Sequence, residues 1–525
     1  MKKILNISKN AAGIILGMLV LSNLLLSCSD DVLNAVNRNN DNPSAVESQY
    51  ILADILVRTA VSNIGGDFNT YLSTYVEHEV GIDNQLWRSE TRSGEPSVAA
   101  TYNNSWSNLY QSLKDARIVI DQCSEGGPDE GNYVTRGIAE VLAAYNSALI
   151  TDMFGDAPWS EAAQINPDGS PKVMTPKMDT QESIYNGINA YLDAALADFQ
   201  LTDVNPVGSF DLLYSGDKTK WVKLAYGLKA RYAMHLLNKA SSKDAELDKV
   251  LDYVSKSFAS VNDQAAFNIY NETQLNPLFD FQWSRDGLAA SESMADKLIE
   301  RNDPRLRRVF VDADWVQVEG PEADNYFMAP NGTPDQMRYY YNTSMFVFSQ
   351  TAPTMYLSYH ELMFIKAEAL ARKGQLEEAE AALKTAVVAA IDNCEIGVVA
   401  AENCPSALQF GGLDVFTEPI SADEAASYFD ESVKPLFDSN PLKEIMNQKY
   451  IGFFGSSGES TETYNDIRRL KAMGEDLITL KNTNPFPLRL PYGSSDTTTN
   501  PEVKDAYGNG QYVYSEPVWW AGGSR

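Results

Sequence analysis

Apolar residues recur at steps of three and four along most of this chain, the periodicity of helices that bury one face. Trp106, Leu109, Leu113, Ala116 and Ile120 form one stripe, and Ile138, Val141, Leu142, Tyr145 and Leu149 a second. Ile184, Ile188, Tyr191, Leu192, Ala195 and Phe199 form a third, and Trp221, Leu224, Ala225, Leu228, Tyr232, His235 and Leu236 a fourth. A fifth runs through Leu362, Ile365 and Ala369, stops at Gly374, and restarts through Leu376, Ala379, Leu383, Ala386 and Val387. Gly374 can take the left-handed backbone that ends a helix, so two antiparallel helices are expected there. The fold class is mostly α.

The wording Ala367-Glu368-Ala369, Lys373-Gly374, Glu377-Glu378-Ala379 resembles a tetratricopeptide unit, in which small residues let paired helices approach closely. The other stripes read as degenerate pairs of the same sort, without a fixed repeat period, so tetratricopeptide-like helical pairs form the scaffold. Between about residues 260 and 356 the helical period fades. Asn276-Pro277, Gly287, Asp303-Pro304, Pro330-Asn331-Gly332 and Thr333-Pro334 punctuate a loop-rich insertion carrying little strand. Residues 394–420 and 480–525 have a similar texture. Irregular segments on a rigid scaffold are where binding residues tend to sit.

The first residues carry a different message. Lys2, Lys3 and Lys9 precede an apolar run from about Ala11 to Leu26, broken by Ser22 and Asn23. A basic start and a short apolar stretch are the pattern of a secretory signal peptide; a spanning helix needs about 20 continuous apolar residues. The run ends Leu25-Leu26-Ser27-Cys28, which resembles a bacterial lipobox, with cleavage before Cys28 and acylation of its sulfur and new amine. Two or more acyl chains make such anchoring stable. Residues 1–27 are therefore read as signal peptide and 28–47, rich in Asn, Asp, Ser and Pro, as a lipidated tether. Ser29-Asp30-Asp31, just after the cysteine, resembles a surface-export signal. Residues 48–525 are read as a single domain, since no long linker interrupts them.

Composition narrows the partners. The signal segment holds three lysines and no acids, so the remaining 498 residues carry 39 basic against 71 acidic side chains, a net charge of −32. Such a chain repels nucleic acid. Most of the 27 Tyr and 8 Trp are expected in the core, and the same residues suit stacking on pyranose faces; composition alone does not separate the two readings. Of four cysteines, Cys28 is assigned to lipid; Cys394 and Cys404 are close in sequence and form a candidate disulfide in an oxidising compartment, leaving Cys123 as a buried thiol. No zinc or redox spacing occurs.

Six phrases then fall in order. Phe154-Gly155-Asp156-Ala157-Pro158-Trp159-Ser160-Glu161-Ala162 comes first, and Gly216-Asp217 with Trp221 leading into Leu228–Met234 second. Asn302-Asp303-Pro304-Arg305, Glu361 through Lys373, Gln448-Lys449-Tyr450 with Arg468-Arg469, and Pro487–Tyr492 with Asn500-Pro501 follow. Together with the lipobox they resemble the SusD/RagB-like nutrient-binding lipoproteins of Bacteroidetes, over nearly the whole mature chain. Gly493 stands where that family often has proline, and no phrase aligns in the middle region that would carry ligand specificity. The phrases read as structural: Gly155 and Pro158 shape a turn, Asp156 caps amides, and Arg305, Arg468 and Arg469 bond carboxylates or helix ends.

The resemblance implies a lipid-anchored, surface-exposed outer-membrane protein. It would capture oligosaccharide, or peptide in some members, and deliver it to a SusC-like TonB-dependent transporter. No cofactor is implied, though loop oxygens leave structural calcium open. The candidate contacts are aromatics with polar neighbours: Trp87 and Arg88 beside Asn84 and Gln85 in an early polar loop; Trp283 with Gln282 and Arg285; Trp315 with Asp312 and Asp314; and the cluster Tyr339, Tyr340 and Tyr341. Trp519-Trp520 are expected to dock the tail. Catalysis is not expected, because His78, His235 and His360 are far apart and no nucleophile, zinc or phosphate motif is present. A glycoside hydrolase would need a positioned carboxylate pair, and a peptide-binding scaffold an open helical face.

Overall fold

Helix Tyr133–Phe154 packs against helix Asn103–Cys123 and helix Gln181–Asp198, and every one of its residues except Tyr133 and Arg136 is buried. Its apolar positions run almost all the way round, which is what a helix enclosed by neighbours requires. The computed structural model describes residues 46–93 and 102–525; the segment read as signal peptide, Cys28, and all but the last two residues of the tether lie outside the described residues. Residues 48–525 form one compact unit.

The sequence stripes become helices paired with their neighbours in the chain. Lys218–His235 packs on Lys243–Ser255, and Tyr359–Arg372 on Leu376–Glu402. The Ser358 hydroxyl accepts from the Glu361 amide and starts the third of these; Gly374, at φ +76°, makes the turn into the fourth. Leu109, Leu113, Ile138 and Leu142 are fully buried, and each such side chain contributes about 1.5–3 kcal/mol relative to exposure. Among the described residues, strand is confined to four two-stranded antiparallel sheets. Glu79–Gly81 pairs with Leu288–Ala290, Ala157–Pro158 with Met178–Asp179, Ala265–Phe267 with Thr354–Leu357, and Phe310–Val311 with Thr343–Ser344. Three of the four involve residues 260–356 and tie that region down.

The family phrases hold the scaffold together. Arg231 makes a two-pronged pair with Glu361 at 2.6 Å, and Arg305 does the same with Asp303, both buried. Arg468 donates to the Asp152 carbonyl at the end of the central helix. Asp156 accepts from the Gln181 amide at 2.8 Å. Trp520 is fully buried and its indole donates to Asp152 at 2.8 Å, so the tail is docked as expected.

Two expectations are corrected. Cys394 and Cys404 are free and buried. Cys394 lies inside helix Leu376–Glu402, not in a loop, and the two helical turns that follow it carry the chain about 12 Å along the axis, whereas bridged Cα atoms lie within about 7 Å. Asn84, Trp87 and Arg88 lie on helix Asn84–Thr91 rather than in a loop.

Candidate functional site

Helix Pro277–Arg285 sets the site's first wall. Asn276 caps it, accepting from the Leu278 amide, and Pro277 occupies its first turn. The helix ends at Asp286, whose φ is +50°. Gln282 locks that ending: its amide donates to Asp286 Oδ1 at 3.0 Å and to the Leu288 carbonyl, while its oxygen accepts from Gly287 and Leu288. Trp283 then stacks on Phe279 with ring centres 5.3 Å apart and stays 40% exposed.

The second wall is a turn at Asp312–Trp315. Asp312 Oδ1 accepts from the amides of Asp314 and Val316, and Oδ2 from Asn325, so both oxygens are committed to the loop. Trp315, at φ +65°, is half-buried against Phe348 and lies 6.1 Å from Trp283. Phe410, 74% exposed, comes from a distant loop to 6.3 Å from Trp283. Tyr339, at φ +56° and 73% exposed, lines the far side with Tyr341. These residues enclose a groove of about 350 Å³, the size of a small-ligand pocket. Three of its lining residues, Asp286, Trp315 and Tyr339, hold the left-handed backbone that non-glycine residues rarely adopt, and such strain gathers at ligand sites.

The loop carrying Tyr339 is anchored from helix Asn84–Thr91. The Trp87 indole donates to the Pro334 carbonyl at 3.0 Å, and Arg338 pairs with Asp83. Glu90 accepts from the Gly332 amide at 2.6 Å; burial pushes its carboxyl up to about 7. Trp87 therefore acts behind the groove. Arg88 bonds Asn84 on an exposed helix face, and neither lines it. Arg285 leans over Phe281, also outside the lining. Tyr340 packs edge-on against Phe327 and Tyr341. Of the candidate contacts, Trp283, Trp315 and Tyr339 converge; Trp87, Arg88, Asn84, Arg285 and Tyr340 support or flank. Gln282 and Asp312, named in the sequence beside Trp283 and Trp315, also line the groove; Phe410, Phe348 and Asp286 were not singled out in the sequence.

The groove's charge is acidic. Asp286 and Asp312 line it, and among the described residues no lysine or arginine does. Burial raises the Asp286 carboxyl above its usual range against the pull of Tyr339 and Arg338, and its Oδ2 is buried without a hydrogen-bond partner. Among the described residues no group of three or more His, Cys, Asp or Glu is placed to hold a metal ion.

A helical scaffold thus bears an exposed aromatic groove with Gln282, Asp286 and Asp312 on its lining. The chain belongs to the SusD-like family, described as starch-binding and associating with the outer membrane, whose model matches residues 46–493. A SusD/RagB family protein from Bacteroides thetaiotaomicron VPI-5482 is 54% identical and superposes with a TM-score of 0.87, over 92% of this chain and 100% of that one. A chitin-binding protein (22% identity, TM-score 0.67, 90% and 99% covered) and a SusD homolog from Bacteroides fragilis NCTC 9343 (19%, 0.68, 91% and 100%) share the fold. A comparison with curated protein sequences finds no match. No helix among the described residues is long and apolar enough to cross a membrane.

Proposed function

We propose that this chain is a lipid-anchored surface protein that captures oligosaccharide in the Trp283–Trp315 groove and passes it to a TonB-dependent outer-membrane transporter. The observation that carries this reading is the convergence of Trp283, Trp315, Tyr339 and Phe410 from four separate segments onto one exposed groove. Ring faces of this kind stack on the apolar faces of pyranoses, and Gln282, Asp286 and Asp312 stand among them as polar neighbours. Such sites are wet and of modest affinity.

The groove binds without cleaving. Glycoside hydrolysis uses two carboxylates, one on each side of the bond, and of the two that line the groove Asp312 has both oxygens committed to its own loop. Starch, from the family's description, and chitin, from a relative's name, are the first two probes. Retardation of the purified protein in gels containing either polysaccharide, with no reducing ends released on long incubation, supports capture. Release of shorter products contradicts it, and retardation by neither, with binding to peptides instead, moves the ligand class to peptide.

A further inference from the structure

A cleft of about 360 Å³ shares no lining residue with the groove. Helix Asn103–Cys123 contributes Lys114, Arg117 and Asp121 to it, and helix Gln181–Asp198 contributes Tyr191. Its third wall is the segment from Trp159 to Lys172, closed by a bridge between Ile165 and Pro171 and by the Lys172 amide donating to the Gln164 carbonyl at 2.9 Å.

Arg117 is fixed in this cleft by neutral groups. Its Nε donates to the Tyr191 hydroxyl at 3.2 Å, its Nη1 to the Trp159 carbonyl at 3.0 Å and to the Ala162 carbonyl, and its guanidinium lies 5.1 Å from the centre of the Trp159 ring. Among the described residues no carboxylate lies within 4.0 Å of it. Among the described residues, the Lys172 ammonium donates only to the Gln164 side chain, at 3.4 Å. Lys114 stands 3.4 Å from Asp115, a carboxylate already held by Arg58 at 2.7 Å and by Gln111. The cleft thus gathers three cations and one lining carboxylate, Asp121, in a chain of net charge −29. A guanidinium oriented by neutral acceptors, with its charge unanswered, is pre-organised for an anion. The polar side chains and aromatic edges around it suit a sugar ring bearing that anion.

We propose that this cleft is a second ligand site, taking the anionic residue of an acidic oligosaccharide, with Arg117, Lys114 and Lys172 meeting its carboxylate or sulfate and Tyr191 and Gln164 its hydroxyls. It is separate from the acidic groove, and the two sites sort saccharides by charge. The proposal goes beyond the capture reading and does not depend on it.

The test is calorimetric titration of the purified chain with trigalacturonic acid, with the neutral galactose trisaccharide, and with sodium sulfate alone. Arg117 holds backbone carbonyls together, so the variant chosen is the surface pair Lys114→Ala/Lys172→Ala. The expected result is binding of the acidic trisaccharide, weakened by added salt and by about tenfold in the double variant, and unchanged in Trp283→Ala. Equal affinity for the neutral sugar, no loss in the double variant, or loss on Trp283→Ala instead overturns the site. Sulfate binding as well as the trisaccharide overturns the saccharide assignment and leaves an anion site only. Failure at this cleft leaves groove binding of neutral sugars untouched, and the Trp283→Ala arm separates the two.

Discussion

Arg469 meets both carboxylate oxygens of Glu368, at 2.7 and 2.8 Å, with the two side chains almost completely buried. The pair joins helix Ser460–Ala472 to helix Tyr359–Arg372, 101 residues apart. Glu368 also accepts from Arg372 at 2.8 Å. Removing the carboxylate leaves Arg469 with Asp466 at 2.8 Å and Arg372 with Glu475 at 2.7 Å as their remaining anionic partners. Glu368→Ala is expected to lower stability by about 3 kcal/mol, the lower end of the cost of breaking a buried pair, read as a shift of the denaturation midpoint. A loss of under 1 kcal/mol would mean the interior readily readmits water there.

Stability should fall as the solution becomes alkaline. Burial pushes Glu79 up to about 8 despite the Ser344 hydroxyl at 2.5 Å. His235 is desolvated, yet Glu462 and Asp152 outweigh that and raise it to about 9. Both groups hold more protons folded than unfolded, Glu79 between its ordinary 4.5 and about 8, His235 between its ordinary 6.5 and about 9. Their contributions are complete below the ordinary values and lost as pH rises through the folded ones. The decline is steepest where the windows overlap, from 6.5 to about 8. Thermal melts of Glu79→Gln should show a flatter decline than wild type across that interval; an identical slope would remove Glu79 from the account.

The thiols offer a direct check on the cysteine correction. Cys123, Cys394 and Cys404 are free and buried, and burial pushes the Cys394 thiol up to about 12. All three should stay silent to a thiol reagent in the native protein and react on unfolding, and a reducing agent should leave the melting temperature unchanged. Only one reactive thiol after unfolding without reductant would restore the Cys394–Cys404 bridge.

Trp87 should matter to binding without touching ligand. Its indole fixes Pro334, and through it the loop that ends at Tyr339. Trp87→Phe keeps an aromatic ring and loses one hydrogen bond, so affinity should fall by no more than about tenfold, the worth of about 1.4 kcal/mol. Complete loss of binding in Trp87→Phe, with Trp283→Ala mild, would reverse their roles.

The helical scaffold was legible because burial imposes a period on the sequence, from Trp106 through Ala116 and from Leu362 through Val387. The arginines at 305, 468 and 469 were legible as interior bonds because they stand in phrases that resemble the family's and read as structural, where a guanidinium inside the fold needs carboxylates or helix ends as partners. The groove was legible only in part. Trp283, Trp315 and Tyr339 stood out as aromatics in irregular stretches, but nothing in sequence brings Phe410 to Trp283 across more than a hundred residues. Trp87 shares the composition of a ligand platform, and only its hydrogen bond to Pro334 reveals an anchor. Asp286 was one acid among 71 until its helix-ending position set it apart. Cys394 was misplaced because the irregular texture after residue 394 concealed the last turns of a long helix.

The central claim is that the aromatic groove holds saccharide, and calorimetry of wild type, Trp283→Ala and Asp286→Asn with neutral oligosaccharides of glucose and N-acetylglucosamine tests it most directly. The account predicts modest binding of at least one series, loss of about tenfold or more in Trp283→Ala, and a smaller loss in Asp286→Asn, with both variants melting near wild type. Saccharide binding that survives Trp283→Ala unchanged would contradict it and move the site elsewhere on the scaffold.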